Sequence, residues 1–235
     1  IIGKVYGGDY TGGVVGYNEG TITNVSINAE IGGMEYTGGA TGYNEGSIDN
    51  VYSQGKIMAS GQFTGGITGF NMGDIVYCYN FAEIKSSEIY AGGLTGYNHS
   101  VASISYSFNH GNVSSTQFAA GIAAVNHGNI NVIYNTSDIT AEISYAGGIT
   151  AVNEGVVSEG YHSGKIFSHN YVGGVAGANE GTLQNLYYNT SETARILPDS
   201  PYLPVTSAVF NTADAENVKG LPLEAMTGHY AIGTD

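Results

Sequence analysis

One frame of residues recurs seven times in this chain, and its spacing limits the folds open to it. Asparagine stands at Asn18, Asn44, Asn71, Asn98, Asn126, Asn153 and Asn179, at intervals of 26 to 28 residues. Each lies within the frame aromatic-x-Gly-Gly-aliphatic-x-Gly-x-Asn-x-Gly, with occasional Ala for Gly. A fixed period of this length marks an architecture of stacked units, each burying its apolar face against the next.

Aligned on the asparagine, the other columns follow. Eight residues before it stand Tyr10, Tyr36, Phe63, Tyr90, Phe118, Tyr145 and Tyr171, and five before it a glycine in every copy. Four before it stand Val14, Ala40, Ile67, Leu94, Ile122, Ile149 and Val175; four after it most copies carry Ile, Val or Leu. Thirteen after it come Ile31, Ile57, Ile84, Ile139 and Ile166. The fourth copy has two extra residues near Ser100–Ala102, which bring Ile104 and Val113 into the last two columns.

From the aromatic to the asparagine the alternate positions read aromatic, Gly, aliphatic, Gly or Ala. That period of two predicts a strand with one buried face. Helical spacing is absent, and glycine at this density opposes a helix by up to about 1 kcal/mol per residue. The glycine two after six of the seven asparagines predicts a turn that needs positive φ or close backbone approach. The fold expected is all-β: a right-handed parallel β-helix of about seven coils, about 27 residues each, forming a rod roughly 30 Å long. In that geometry the asparagine column is a structural ladder, with each amide bonded to those above and below and to the turn backbone.

Composition narrows the function classes. Tyrosine (19 residues) and abundant Ile and Val argue against disorder despite 37 glycines. A net charge of −14 offers no footprint for nucleic acid or an anionic membrane. The lone Cys78 rules out an intrachain disulfide framework and a cysteine zinc site. No apolar run is long enough for a membrane helix, and no signal peptide is visible. Because Gly3-Lys4-Val5 already matches the end of a repeat, the chain is expected to be a segment of a longer protein, joined to neighbouring domains. The β-solenoid is expected over residues 1–185. Residues 186–235, which hold all four prolines, form an expected irregular cap and connector. There Pro198 to Pro204 reads as an extended crossing segment and Pro222 to Met226 as a short helix.

Gly38-Gly39-Ala40-Thr41-Gly42-Tyr43-Asn44-Glu45-Gly46-Ser47-Ile48, followed by Asn50-Val51-Tyr52-Ser53-Gln54-Gly55-Lys56-Ile57, resembles the GLUG repeat of bacterial surface proteins. Cys78-Tyr79 matches a common variant of its second half. Leu186-Tyr187-Tyr188-Asn189 and Gly220-Leu221-Pro222-Leu223-Glu224-Ala225-Met226 look like the segment that often follows such arrays. The resemblance implies a large exported protein, either an adhesin or an IgA-specific metallopeptidase. No histidine here is followed by glutamate, so the His-Glu-x-x-His zinc motif of those peptidases is absent from this chain.

The candidate binding stripe lies eight after the asparagine, with positions in the fourth copy counted here and below without its two extra residues: Ser26, then Tyr52, Tyr79, Phe108, Tyr134, Tyr161 and Tyr187. Its preceding neighbours are mostly aliphatic, and adjacent strand residues face opposite sides, so this column should face outward. There it could stack on sugars or pack on a partner, or simply stabilise adjacent strands. Glu19, Glu45, Met72, His99, His127, Glu154 and Glu180 follow the asparagines. One carboxylate per coil does not supply calcium's six to eight oxygens, and two histidines alone make a poor metal site. A glycan lyase or glycosidase needs converging carboxylates, and Asp9, Asp49, Asp74 and Asp138 fall in different columns. Thr11, Thr37 and Thr64 begin a rank suited to ice binding, which Ala91, Ala119 and Ala146 end.

The expectation is therefore a non-catalytic segment of a bacterial cell-surface or secreted protein, without cofactor. It would serve as stalk and as a surface for host glycan or extracellular protein. The alternative is an accessory module that holds substrate for an exported enzyme.

Overall fold

A computed structural model describes residues 1–189 and the backbone of strand Ala215–Leu221. It is an all-β parallel solenoid, and every pairing joins a strand to its equivalent in the next coil. Each coil is named here by its asparagine, from coil 1 (Asn18) to coil 7 (Asn179). Coil 2 shows the path: Tyr36–Gly38, a corner, Thr41–Asn44, a turn, then the long strand Ser47–Ala59. In coils 4 to 6 the long strand is divided, as in Ser103–Asn109 and Val113–Ser115. The short strands stack into two seven-stranded sheets, and the remainder form a fourteen-stranded one. The two extra residues of coil 4 loop out, since Ile104 pairs with Ile75 on one side and Ile130 on the other.

The run from aromatic to asparagine differs from the single alternating strand that its period suggests. It is two short strands meeting at a corner. The aromatics eight before the asparagine sit half-buried or exposed on the outside, while their following neighbours, Thr11, Thr37, Thr64, Ala91, Ala119, Ala146 and Val172, point into the core. The threonine rank is therefore interior and offers no ice-binding face. The turn glycines answer to close approach rather than to φ. A Cβ on Gly46 would lie 1.9 Å from the Gly20 carbonyl oxygen, and one on Gly73 1.8 Å from that of Gly46.

Positive φ falls instead on the residue six after each asparagine: Asn24, Asn50, Tyr77, Tyr106, Val132, Glu159 and Asn185, at 50–56°. This left-handed residue bends the long strand so that the residue two before it and the residue one after it, Ile48 and Val51 in coil 2, both turn inward.

The interior holds two apolar cores. The larger contains Ile48, Ile67, Ile75, Leu94, Ile104 and Ile122; the smaller contains Ile84, Val113, Ile139 and Ile166 with Ala91, Ala119 and Ala146. In coils 1 and 2 the corresponding Ile31 and Ile57 belong to the larger core, so the division begins at coil 3.

The 185/186 boundary expected between solenoid and cap falls inside strand Thr182–Asn189. Strand Ala215–Leu221 pairs in parallel with it, placing Val218 opposite Leu186. The expected crossing segment at Pro198–Pro204 and the helix at Pro222–Met226 lie outside the described residues.

Candidate recognition face and the polar ladders behind it

Asn18, Asn44, Asn71, Asn98, Asn126, Asn153 and Asn179 form one continuous amide ladder inside the wall. Each Nδ2 donates to the Oδ1 of the next coil's asparagine, at 2.7–2.9 Å over six steps. The same Nδ2 donates to the carbonyl two residues on in most coils, as from Asn71 to Gly73 at 2.9 Å. The next residue's N–H donates to the asparagine carbonyl of the coil before, as from Met72 to Asn44 at 2.7 Å. A primary amide has two donors and an acceptor oxygen with two lone pairs, so it can serve both the turn and the stack.

A second ladder runs nine after the asparagine, through Asn80, Asn109, Asn135 and His162. Asn80 donates to Asn109 at 2.7 Å, Asn109 to Asn135 at 2.9 Å, and Asn135 Nδ2 lies 2.8 Å from His162 Nδ1. This column was not recognised from the sequence, although a signal for it existed in the glycine five before each asparagine. A Cβ on Gly66 would lie 2.3 Å from Asn80 Cγ, on Gly93 2.4 Å from Asn109 Cγ, and on Gly148 2.5 Å from His162 Cγ. The polar side chain spans the interior and touches the opposite backbone, which is why that position has no room for a side chain. This contact separates the two apolar cores from coil 3 onward. Ser53 precedes the ladder and its buried Oγ has no partner, nor does His162 Nε2. Complete burial lowers the His162 pKa to about 4.

The candidate stripe sits on the outer face of the same strands. Tyr52, Tyr79, Phe108, Tyr134, Tyr161 and Tyr187 pair in register along the fourteen-stranded sheet, and all are half-buried. Centroids of Tyr79–Phe108, Phe108–Tyr134 and Tyr134–Tyr161 are 4.5, 4.6 and 5.3 Å apart, the last two pairs nearly parallel. Where rings stack in this way their faces cover one another, so the column presents mainly ring edges and phenol oxygens. Burial raises the Tyr134 and Tyr161 pKa values, keeping both phenols protonated and able to donate.

A second ring surface, also missed in the sequence, lies on another wall. Tyr17, Tyr43, Phe70 and Tyr97 stack at 4.7–5.0 Å and meet Tyr10, Tyr36 and Phe63 edge-to-face. From coil 5 onward that position is Val125, Val152 or Ala178.

The residues after the asparagines make one ion pair within their column and one local contact. His127 Nδ1 lies 3.2 Å from Glu154, and His99 Nδ1 lies 3.5 Å from Ser100 Oγ. Tyr17 is raised to about 12, first by its hydrogen bond to Glu45. Cys78 is buried, and desolvation raises its thiol to about 12. Compared with family models, with curated proteins and with solved structures, the chain matches none.

Proposed function

We propose that this chain is a non-catalytic stalk and presentation segment of a large bacterial surface or secreted protein. Its fourteen-stranded wall would recognise a host glycan or extracellular protein. The observation that supports this reading most directly is register. Equivalent outward side chains from Tyr52 to Tyr187 repeat once per coil along a wall held by a continuous buried amide ladder. Such a wall keeps a binding surface rigid, so little conformational entropy is lost when a ligand is bound. The GLUG-like frame supports the exported setting.

The test is binding of the purified chain to arrays of glycans and extracellular proteins, native and as the Tyr79→Ser/Tyr134→Ser variant. The expected result is a specific ligand whose binding weakens at least tenfold in the variant while the fold is retained. A blank at high protein concentration would overturn recognition and leave a stalk.

A further inference from the structure

On the wall that carries the ring column, coils 3 and 4 depart from the rest of the repeat. The position six after the asparagine is Asn24, Asn50, Asn185, Val132 or Glu159 elsewhere, but Tyr77 and Tyr106 in these two coils. The position ten after it, polar in the other coils, is Phe81 and His110 here. Tyr77 and Tyr106 stack at 5.3 Å and Phe81 and His110 at 5.1 Å, while Tyr79 and Phe108 are tilted with centroids 4.5 Å apart. Phe81 also meets Phe108 edge-on at 5.4 Å, joining two of the pairs, and the Tyr77–Tyr106 pair stands two residues before Tyr79 and Phe108, giving a patch of six rings on two adjacent coils.

Two features set this patch apart from the structural ring ladders. The first is conformational. Tyr77 and Tyr106 hold φ of 50°, a region that asparagine tolerates and an aromatic residue disfavours. Asparagine occupies the same position in coils 1, 2 and 7, so the rings stand where stability alone would place an amide. Such exceptions gather at functional positions. The second is exposure. Tyr77 is 47% and Tyr106 51% exposed, and their outer column neighbours are Asn50 and Val132. Each therefore keeps one ring face that no other ring of its column covers.

Charge selects the ligand class. In coils 2 to 5 the positions six, eight and ten after the asparagine include no Asp, Glu, Lys or Arg, in a chain of net charge −14. Desolvation lowers the His110 pKa, so its ring is also neutral near pH 7. An anionic ligand would find no cation at these positions, and Asp49, whose carboxylate acts on Tyr79, would repel it further. The open faces of Tyr77 and Tyr106, beside phenols and the Gln54 amide, which donates to the Tyr52 hydroxyl at 2.5 Å, suit the apolar faces and hydroxyls of an uncharged sugar. Three rings along one coil span about 13 Å, the scale of a short oligosaccharide.

We propose that Tyr77, Tyr79 and Phe81 with Tyr106, Phe108 and His110 form a binding site for an uncharged glycan. This rests on the recognition reading above and narrows it to a place and a ligand class.

The experiment is affinity electrophoresis and calorimetry of the 235-residue chain. The probes are neutral saccharides (cello- and chito-oligosaccharides, mannan, galactan) and anionic ones (hyaluronan, alginate, dextran sulfate). The proteins compared are the native chain and Tyr77→Asn/Tyr106→Asn. The expected result is binding to at least one neutral probe and at least a tenfold loss in the variant, with a melting temperature unchanged or higher. Binding only to anionic probes, or binding that the variant leaves intact, would overturn the site. So would a variant that melts well below the native chain, because the rings would then be structural. If no neutral probe binds while a protein ligand still depends on Tyr79 and Tyr134, the glycan site falls and the recognition reading stands. If nothing binds, both fall.

Discussion

Two polar columns run through this solenoid, and they differ in how completely they are built. The Asn18–Asn179 ladder has an amide in all seven coils, lies within the wall, and serves a turn as well as its neighbours. The Asn80–His162 ladder crosses the interior, begins after Ile27 and Ser53, and ends on an imidazole followed by Tyr188. Where the second is missing, in coils 1 and 2, the interior is one apolar core; where it is present there are two. A wall ladder thus holds the coil's outline, while a crossing ladder sets how the space inside is partitioned. A buried amide stack also stabilises only while each member has a partner, since an orphaned buried polar group costs roughly 1–3 kcal/mol.

The sharpest break of this comparison is Asn71→Ala. It removes bonds to Asn44, Asn98 and Gly73 and strands buried groups on both sides. The expected loss is about 4 kcal/mol by the cost of orphaned groups, read as a fall in the urea midpoint. A loss under about 1 kcal/mol would show that the wall ladder is dispensable.

The crossing ladder should reveal itself through pH. His162 has a native pKa of about 4, below the ordinary histidine value of 6.5. Between these values the unfolded chain binds a proton that the native chain refuses. Stability from this group is therefore full above pH 6.5 and falls as pH drops towards 4, by roughly 3 kcal/mol at 1.36 kcal/mol per pH unit. His162→Asn would extend the amide ladder and remove that dependence. Urea titrations of both proteins at pH 7 and pH 4 measure it, and equal acid sensitivity would refute the assignment.

Ser53→Asn should extend the same ladder in the other direction. Gly39 faces that site as Gly66 faces Asn80, and the Ser53 hydroxyl is unpartnered. A gain of about 1 kcal/mol is expected for the added hydrogen bonds, with destabilisation as the refuting result.

A comparable effect is expected in the positive-φ column, where Asn50 donates to Asn24 but Val132 has no amide. Val132, a β-branched residue at φ 50°, should gain about 1 kcal/mol on change to Asn from relief of left-handed strain. An unchanged melting temperature would mean that the wall already relaxes this residue.

Much of this was legible in the sequence. The 26–28-residue period specified stacking, and the register followed through the insertion at Ser100–Ala102 because Ile104 and Val113 have no other row to join. The asparagine at each turn pointed to a ladder, and aliphatic neighbours such as Val51 and Ile133 pointed Tyr52 and Tyr134 outward. The crossing ladder escaped because only Asn80, Asn109 and Asn135 of its column are asparagine, the other members being Ile27, Ser53, His162 and Tyr188. The six-ring patch escaped because it lies in departures from the repeat rather than in the repeat.

What the sequence determined alone is therefore the stack: identical neighbours satisfy one another's hydrogen bonds and apolar surface only when placed one above another. The tertiary structure decided which side chains look inward, because that depends on where each coil bends. The corner at Gly39-Ala40 and the left-handed residue at Asn50 reset the alternation of faces, and a count of alternate positions along the chain cannot register a bend.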